Sequence, residues 1–231
     1  MVLQACLNGD RAHGVPTSPE ELGAEARACV AAGAVSIHAH PRDSDGLETL
    51  EPAPIAAAVR ELRTAGVEIS LSTGLWITAG DVDARLWAVR GWTECPDLVS
   101  LNLSEEGWRE LAEVLAEKGI GIEVGVWTPA DAETLLASGL DVRRVLIEPK
   151  TGSSAEAVAL AGEIDGVLDD GGSTVPRLHH GAGPATWAVL DAAVPRGHDI
   201  RIGLEDVTTL PDGRRAPDNA ALVVETVLRY R

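Results

Sequence analysis

Short apolar runs alternate with longer amphipathic stretches along this chain, and the alternation occurs eight times. The runs at 2–8, 35–40, 67–73, 97–103, 121–127, 143–149, 176–180 and 199–205 read as strands. The stretches between them carry helix boundary signals. Ser18-Pro19-Glu20-Glu21 supplies an N-cap, a first-turn proline and acidic residues, and Gly33 closes that helix. Similar segments run over 52–65 to Gly66, 106–118 to Gly119 and 129–138 to Gly139; 154–170, 184–194 and 218–230 follow, with one more helix expected near 81–91. Repeated strand–helix units imply parallel strands joined by right-handed crossovers. Eight units in 231 residues predict a (β/α)8 TIM barrel forming a single domain over 1–231, with an open doubly wound sheet as the competing architecture.

The parity of the strands separates these two architectures. Val67, Ile69 and Leu71 alternate with Glu68, Ser70 and Ser72; Val99, Leu101 and Leu103 alternate with Ser100, Asn102 and Ser104. Ile122, Val124 and Val126 likewise alternate with Glu123, Gly125 and Trp127, and Ile200, Ile202 and Leu204 with Arg201, Gly203 and Glu205. Val35, Ile37 and Ala39 face away from His38 and His40. An open sheet covered on both sides would be apolar on both faces. One aliphatic and one polar face fits a barrel with helices outside and a wet interior.

Composition narrows the partners. The formal charge is −17, from 19 basic against 36 acidic side chains, which argues against nucleic acid or an anionic membrane. No window approaches the roughly 20 apolar residues of a membrane span. Met1-Val2-Leu3-Gln4 enters a strand with no basic segment before it, so no secretory signal is expected. Cys6, Cys29 and Cys95 are odd in number and scattered, as in the reduced thiols of a cytoplasmic protein.

The candidate chemistry sits on the polar face. His38 and His40, two apart, project side by side at a strand end, a spacing suited to two nitrogen ligands of a divalent metal, most simply zinc. Two polar residues satisfied by backbone carbonyls would look the same in isolation. Glu205 on a distant strand adds a carboxylate, and two histidines with one glutamate make a catalytic rather than a structural donor set. Arg201 shares the face of Glu205, and Asp206 follows; together they form either a base with its orienting guanidinium or a structural ion pair. Ser72-Thr73-Gly74 offers hydroxyls and amides for a carboxylate, and Glu123 in a barrel interior needs a partner or a task. Glu148 and Lys150 read as a pair. His179 and His180 either touch substrate or are solvated, and His13 and His198 are expected in solvent. Gly181-Ala182-Gly183 ahead of a helix is a weak phosphate signal.

These residues together resemble the β-keto acid cleavage enzymes, the family named for 3-keto-5-aminohexanoate cleavage enzyme. The likeness rests on Ser18-Pro19-Glu20-Glu21-Leu22, His38-x-His40-x-Arg42-Asp43, Ser72-Thr73-Gly74, Ser100-Leu101-Asn102 and Glu123-Val124. It also rests on Arg201-Ile202-Gly203-Leu204-Glu205-Asp206 and on Leu210-Pro211-Asp212-Gly213 with Asn219-Ala220-x-Leu222-Val223. The resemblance implies an oligomeric zinc-dependent barrel that turns a β-keto acid and acetyl-CoA into acetoacetate and a new acyl-CoA. It puts zinc on His38, His40 and Glu205, and the keto acid among Ser72, Thr73, Gly74, Ser100 and Asn102. Arg201 and Asp206 form the proton-abstracting dyad, assisted by Glu123. The segments after strands four, six and seven depart from the family pattern, leaving Arg11, Arg42 and Lys150 as basic candidates for the CoA phosphates.

Overall fold

The computed structural model describes residues 1–151 and 153–230. Eight strands pair in parallel, each with the next in sequence and the last with the first, to close a barrel. They are β1 (Leu3–Cys6), β2 (Ser36–Ala39), β3 (Glu68–Ser72), β4 (Leu98–Asn102), β5 (Gly121–Val126), β6 (Arg144–Ile147), β7 (Arg177–His179) and β8 (Asp199–Ile202). The helices are α1 (Pro19–Ala32), α2 (Pro52–Leu62), α3 (Val82–Arg90), α4 (Trp108–Lys118), α5 (Pro129–Ser138), α6 (Ser154–Asp170), α7 (Thr186–Ala193) and α8 (Asn219–Arg229). The expected TIM barrel is therefore the observed fold.

Local chemistry sets the boundaries. At α1, Ser18 Oγ accepts from the Glu21 amide at 3.2 Å while Glu21 Oε2 accepts from the Ser18 amide at 3.1 Å, a reciprocal capping box. Thr128 and Asp131 do the same at α5, and Asp81 caps the helix expected near 81–91. The stretch read as a helix over 184–194 instead begins with a 3-10 turn over Gly183–Ala185.

The parity reading holds in three dimensions. Ile37, Ile69, Leu71, Val99, Val124, Ile200 and Ile202 are fully buried between barrel and helices, each such side chain contributing about 1.5–3 kcal/mol by leaving water. The inward face is polar. Glu123, fully buried, accepts from Gln4 Nε2 at 2.9 Å and pairs with Arg144 Nε; Arg144 Nη2 also reaches Glu68 at 2.7 Å and Ser36 at 3.1 Å. This network fills the lower barrel and answers the demand that a buried carboxylate be paired.

Strand ends differ from expectation where the site is built. Val35 precedes β2 and is half exposed. His40 lies one residue beyond β2, held there by Asn8, whose side chain bonds both the His40 amide (2.9 Å) and carbonyl (2.8 Å). β8 stops at Ile202 rather than 205. A Cβ on Gly203 would lie 1.9 Å from the Cys6 carbonyl oxygen, so only glycine lets the chain pass this close to β1. The Asp206 and Val207 amides then bond the Gly203 carbonyl at 3.0 and 2.9 Å, closing a turn. Asn219 at the start of α8 clamps that turn, accepting from the Leu204 amide at 2.6 Å and donating to the Leu7 carbonyl at 3.0 Å.

Candidate active site

The C-terminal ends of the strands surround a cavity of about 410 Å³, where barrel folds place their chemistry. His38, His40, Glu205, Arg201 and Asp206 all line it. A regular strand would point neighbouring Glu205 and Asp206 opposite ways; because β8 ends at Ile202, the turn that follows delivers both carboxylates to the mouth.

His38 Nε2 and His40 Nε2 lie 3.1 Å apart, and His40 Nε2 is 3.5 Å from Glu205 Oε1. Zinc–nitrogen bonds near 2.0–2.1 Å put tetrahedral ligand atoms roughly 3.3 Å apart, so these three atoms have a metal's spacing. Glu205 Oε2 is buried without a hydrogen-bond partner. The residues fit a zinc-type ion.

The tautomers follow from the surrounding bonds. Ser70 gives its hydroxyl proton to Glu123, so at 3.1 Å it accepts from His38 Nδ1–H, which leaves the His38 Nε2 lone pair free. Burial first, then Arg201, holds His38 well below its ordinary pKa, in its neutral form. On the far side of the pair, His40 Nδ1 bonds the Glu48 carboxylate, which also accepts from Trp76 Nε1 at 3.0 Å. Burial alone would depress His40, but Glu205 and then Glu48 outweigh it and lift the pKa to about 9. A carboxylate behind a ligating histidine fixes its ring and raises its basicity. Glu48 and Trp76 escaped the sequence reading because they come from an isolated bridge and a single 3-10 turn over Leu75–Thr78, neither with a periodic signal.

Asp206 is buried and gripped from several sides. Arg201 Nη2 reaches Oδ1 at 3.1 Å, His180 Nδ1 lies 3.3 Å from Oδ1, and Cys6 Sγ donates to Oδ2 at 2.8 Å. Burial raises the Asp206 carboxyl, but Arg201 and then His180 more than offset it and keep it ionised. Arg201 also pairs with Glu205. His180 thus belongs to the site, whereas His179, next in the chain, points outward, as strand parity requires.

The remaining expected residues divide. Ser72, Ser100 and Asn102 line the cavity; Thr73 instead donates to the Ser100 carbonyl at 2.6 Å, and Gly74 packs beneath the Trp76 ring, which a Cβ there would meet at 2.2 Å. Glu123 lies below the cavity, two hydrogen bonds from His38 Nε2's ring through Ser70, and has no direct access to it. Glu148 and Lys150 do pair, at 3.1 Å, with the ammonium 4.1 Å above Trp127. The Gly183 amide is taken by the Asp206 carbonyl at 2.7 Å. Arg42 and Arg11 are committed to backbone carbonyls of neighbouring loops.

A model of the β-keto acid cleavage enzyme family matches residues 2–229. The chain belongs to that family. Among solved structures, the chain superposes on ObcA, determined with oxaloacetate and, separately, with a C4-CoA adduct and oxalate. In both cases the TM-score is 0.73 at 19% identity, over 93% of this chain and 63% of that one. The chain thus spans under two thirds of ObcA's length. The 3-hexulose-6-phosphate synthase of Salmonella typhimurium shares the fold more distantly, with TM-score 0.58 at 15% identity over the whole of both chains. A search of curated proteins finds no match. No helix among the described residues is long and apolar enough to cross a membrane.

Proposed function

We propose that this enzyme cleaves a β-keto acid with acetyl-CoA in a zinc-dependent reaction that yields acetoacetate and a new acyl-CoA. The observation that carries the reading is the convergence of a His38–His40–Glu205 donor set with an ionised Asp206 held by Arg201 in one cavity. When bound there, a zinc-type ion would act as a Lewis acid, acidifying the protons between ketone and carboxylate.

The protein's own groups do the rest. Ser72, Ser100 and Asn102 orient the acid against the cavity wall. Asp206 takes a proton from C2, and Arg201 and His180 hold its carboxylate in place for that transfer. The C2 carbanion attacks the thioester carbonyl and expels CoA thiolate, which adds to the original ketone carbon; retro-Claisen cleavage then releases the new acyl-CoA and the acetoacetate carbanion, which takes back the proton from Asp206. Glu123 acts on His38 through Ser70, as a positioning residue. The family resemblance extends the reading to a cytoplasmic homo-oligomer, which light scattering on the purified protein tests.

A second reading, CoA-independent cleavage of the keto acid, is favoured by one feature. The Gly183 amide, Arg11 and Arg42 are all bonded within the fold, and Lys150 is paired with Glu148 at 3.1 Å, so each of the four candidates for a CoA phosphate already has a partner. A panel of β-keto acids incubated with and without acetyl-CoA, followed by mass spectrometry of acyl-CoA products, separates the two. Turnover that ignores acetyl-CoA would overturn the first reading.

A further inference from the structure

On the outer surface of the barrel, away from the mouth, a second set of two histidines and one carboxylate comes together. Asp165 projects from α6, His179 from the outward face of β7, and His198 from the residue preceding β8. Their ligating atoms all lie within 4.8 Å of one another. His179 Nε2 is 3.4 Å from Asp165 Oδ1, His198 Nε2 is 3.6 Å from Oδ2, and the two rings stack 4.8 Å apart.

Asp165 and His179 are 1% and 2% exposed. Both His179 Nε2 and Asp165 Oδ2 are buried without a hydrogen-bond partner. A carboxylate and an imidazole desolvated together, with a half-buried second imidazole beside them, are costly unless something satisfies them. The separations of 3.4 and 3.6 Å exceed ordinary hydrogen-bond lengths. They run to the two different carboxylate oxygens, and each is close to the roughly 3.3 Å that separates two zinc ligands in a tetrahedron. They also match the spacing at the mouth, where the donor set has the same composition.

We propose that Asp165, His179 and His198 bind a divalent cation of the zinc type at a second site, one that ties α6 to β7 and to the start of β8. The neighbouring charges are compatible. Arg177 bonds Asp165 Oδ1 at 3.0 Å and also pairs with Asp169, so it stays as the carboxylate's outer partner. Arg196 approaches Oδ2 at 2.8 Å without hydrogen-bond geometry; its side chain is 44% exposed and free to swing into solvent, ceding that oxygen to the ion. His198 is the most exposed of the three, its side chain 18% exposed.

Chelator-treated protein titrated with Co²⁺ and then Zn²⁺ tests this, by visible absorption and by elemental analysis after gel filtration. Wild type should take up two ions per chain. His38→Ala/His40→Ala should retain one, with a tetrahedral Co²⁺ spectrum and a zinc-dependent rise in Tm. Adding His198→Ala, a partly exposed position that spares the core, should remove the remaining ion and that rise. The proposal is overturned if His38→Ala/His40→Ala takes up no ion, or if its ion survives His198→Ala. Either outcome would leave an arginine-buffered ion-pair network in its place.

Discussion

Glu48 offers the sharpest test of the metal reading, because it touches no proposed substrate. Its carboxylate joins His40 Nδ1 to Trp76 Nε1, so it fixes which His40 nitrogen faces the cavity. In Glu48→Gln the amide carbonyl still accepts from Nδ1–H, but the charge is lost. In Glu48→Ala both are lost and the ring can turn. Loss of such a partner typically weakens metal binding about 10–100-fold, or about 1.4–2.7 kcal/mol. An opposing effect must be separated first. With a pKa of about 9, His40 is protonated at neutral pH in the metal-free protein. Metal then has to displace a proton, which at pH 7 weakens apparent affinity about 100-fold. Glu48 contributes to that raised pKa, so removing it relieves some of the competition. The sign therefore depends on pH. For wild type, affinity should climb about tenfold per pH unit from neutrality towards pH 9 and level off above it, as the competing proton is lost. Above pH 9 the Glu48 effect stands alone, and the order should be wild type, then Gln, then Ala. Competition titrations against a chromogenic chelator at pH 7 and pH 9.5 read this directly. Equal affinities for wild type and Glu48→Ala at pH 9.5 would refute the reasoning.

Other changes probe different layers of the protein. Asp206→Asn should lower turnover by about 10²–10⁴ while metal content stays at the wild-type level, checked by steady-state rates and elemental analysis on one preparation. Arg144→Met strips the partner from fully buried Glu123 and should cost about 3–5 kcal/mol in urea unfolding, whereas a loss under 1 kcal/mol would mean water already reaches that carboxylate. Gly203→Ala places a Cβ 1.9 Å from the Cys6 carbonyl oxygen. It should displace the turn carrying Glu205 and Asp206, reducing metal affinity and activity together, and an unchanged metal titration would show that the turn tolerates a side chain.

The alternation of strand and helix signals, and the parity within each strand, were enough to specify the barrel. A closed parallel sheet sheathed in helices needs one aliphatic and one enclosed face, and Ile69 against Ser70 or Ile200 against Arg201 carries that requirement in any window of the chain. The same parity put His38 and His40 together, because two residues of one strand share a face. It also bears on His179 and His180: adjacent residues must point opposite ways, so one reaches Asp206 and the other Asp165. What tertiary structure alone decided was where strands stop and which distant segments meet. Glu205 and Asp206 both reach the mouth only because Gly203 passes against Cys6 and the chain turns there. Glu48 reaches His40 from an isolated bridge with Arg42, the register of β5 on β6 sets Arg144 beside Glu123, and His198 leaves solvent to join a residue 33 positions earlier on α6. Such contacts depend on the closure and stagger of the whole barrel, and no local periodicity encodes them.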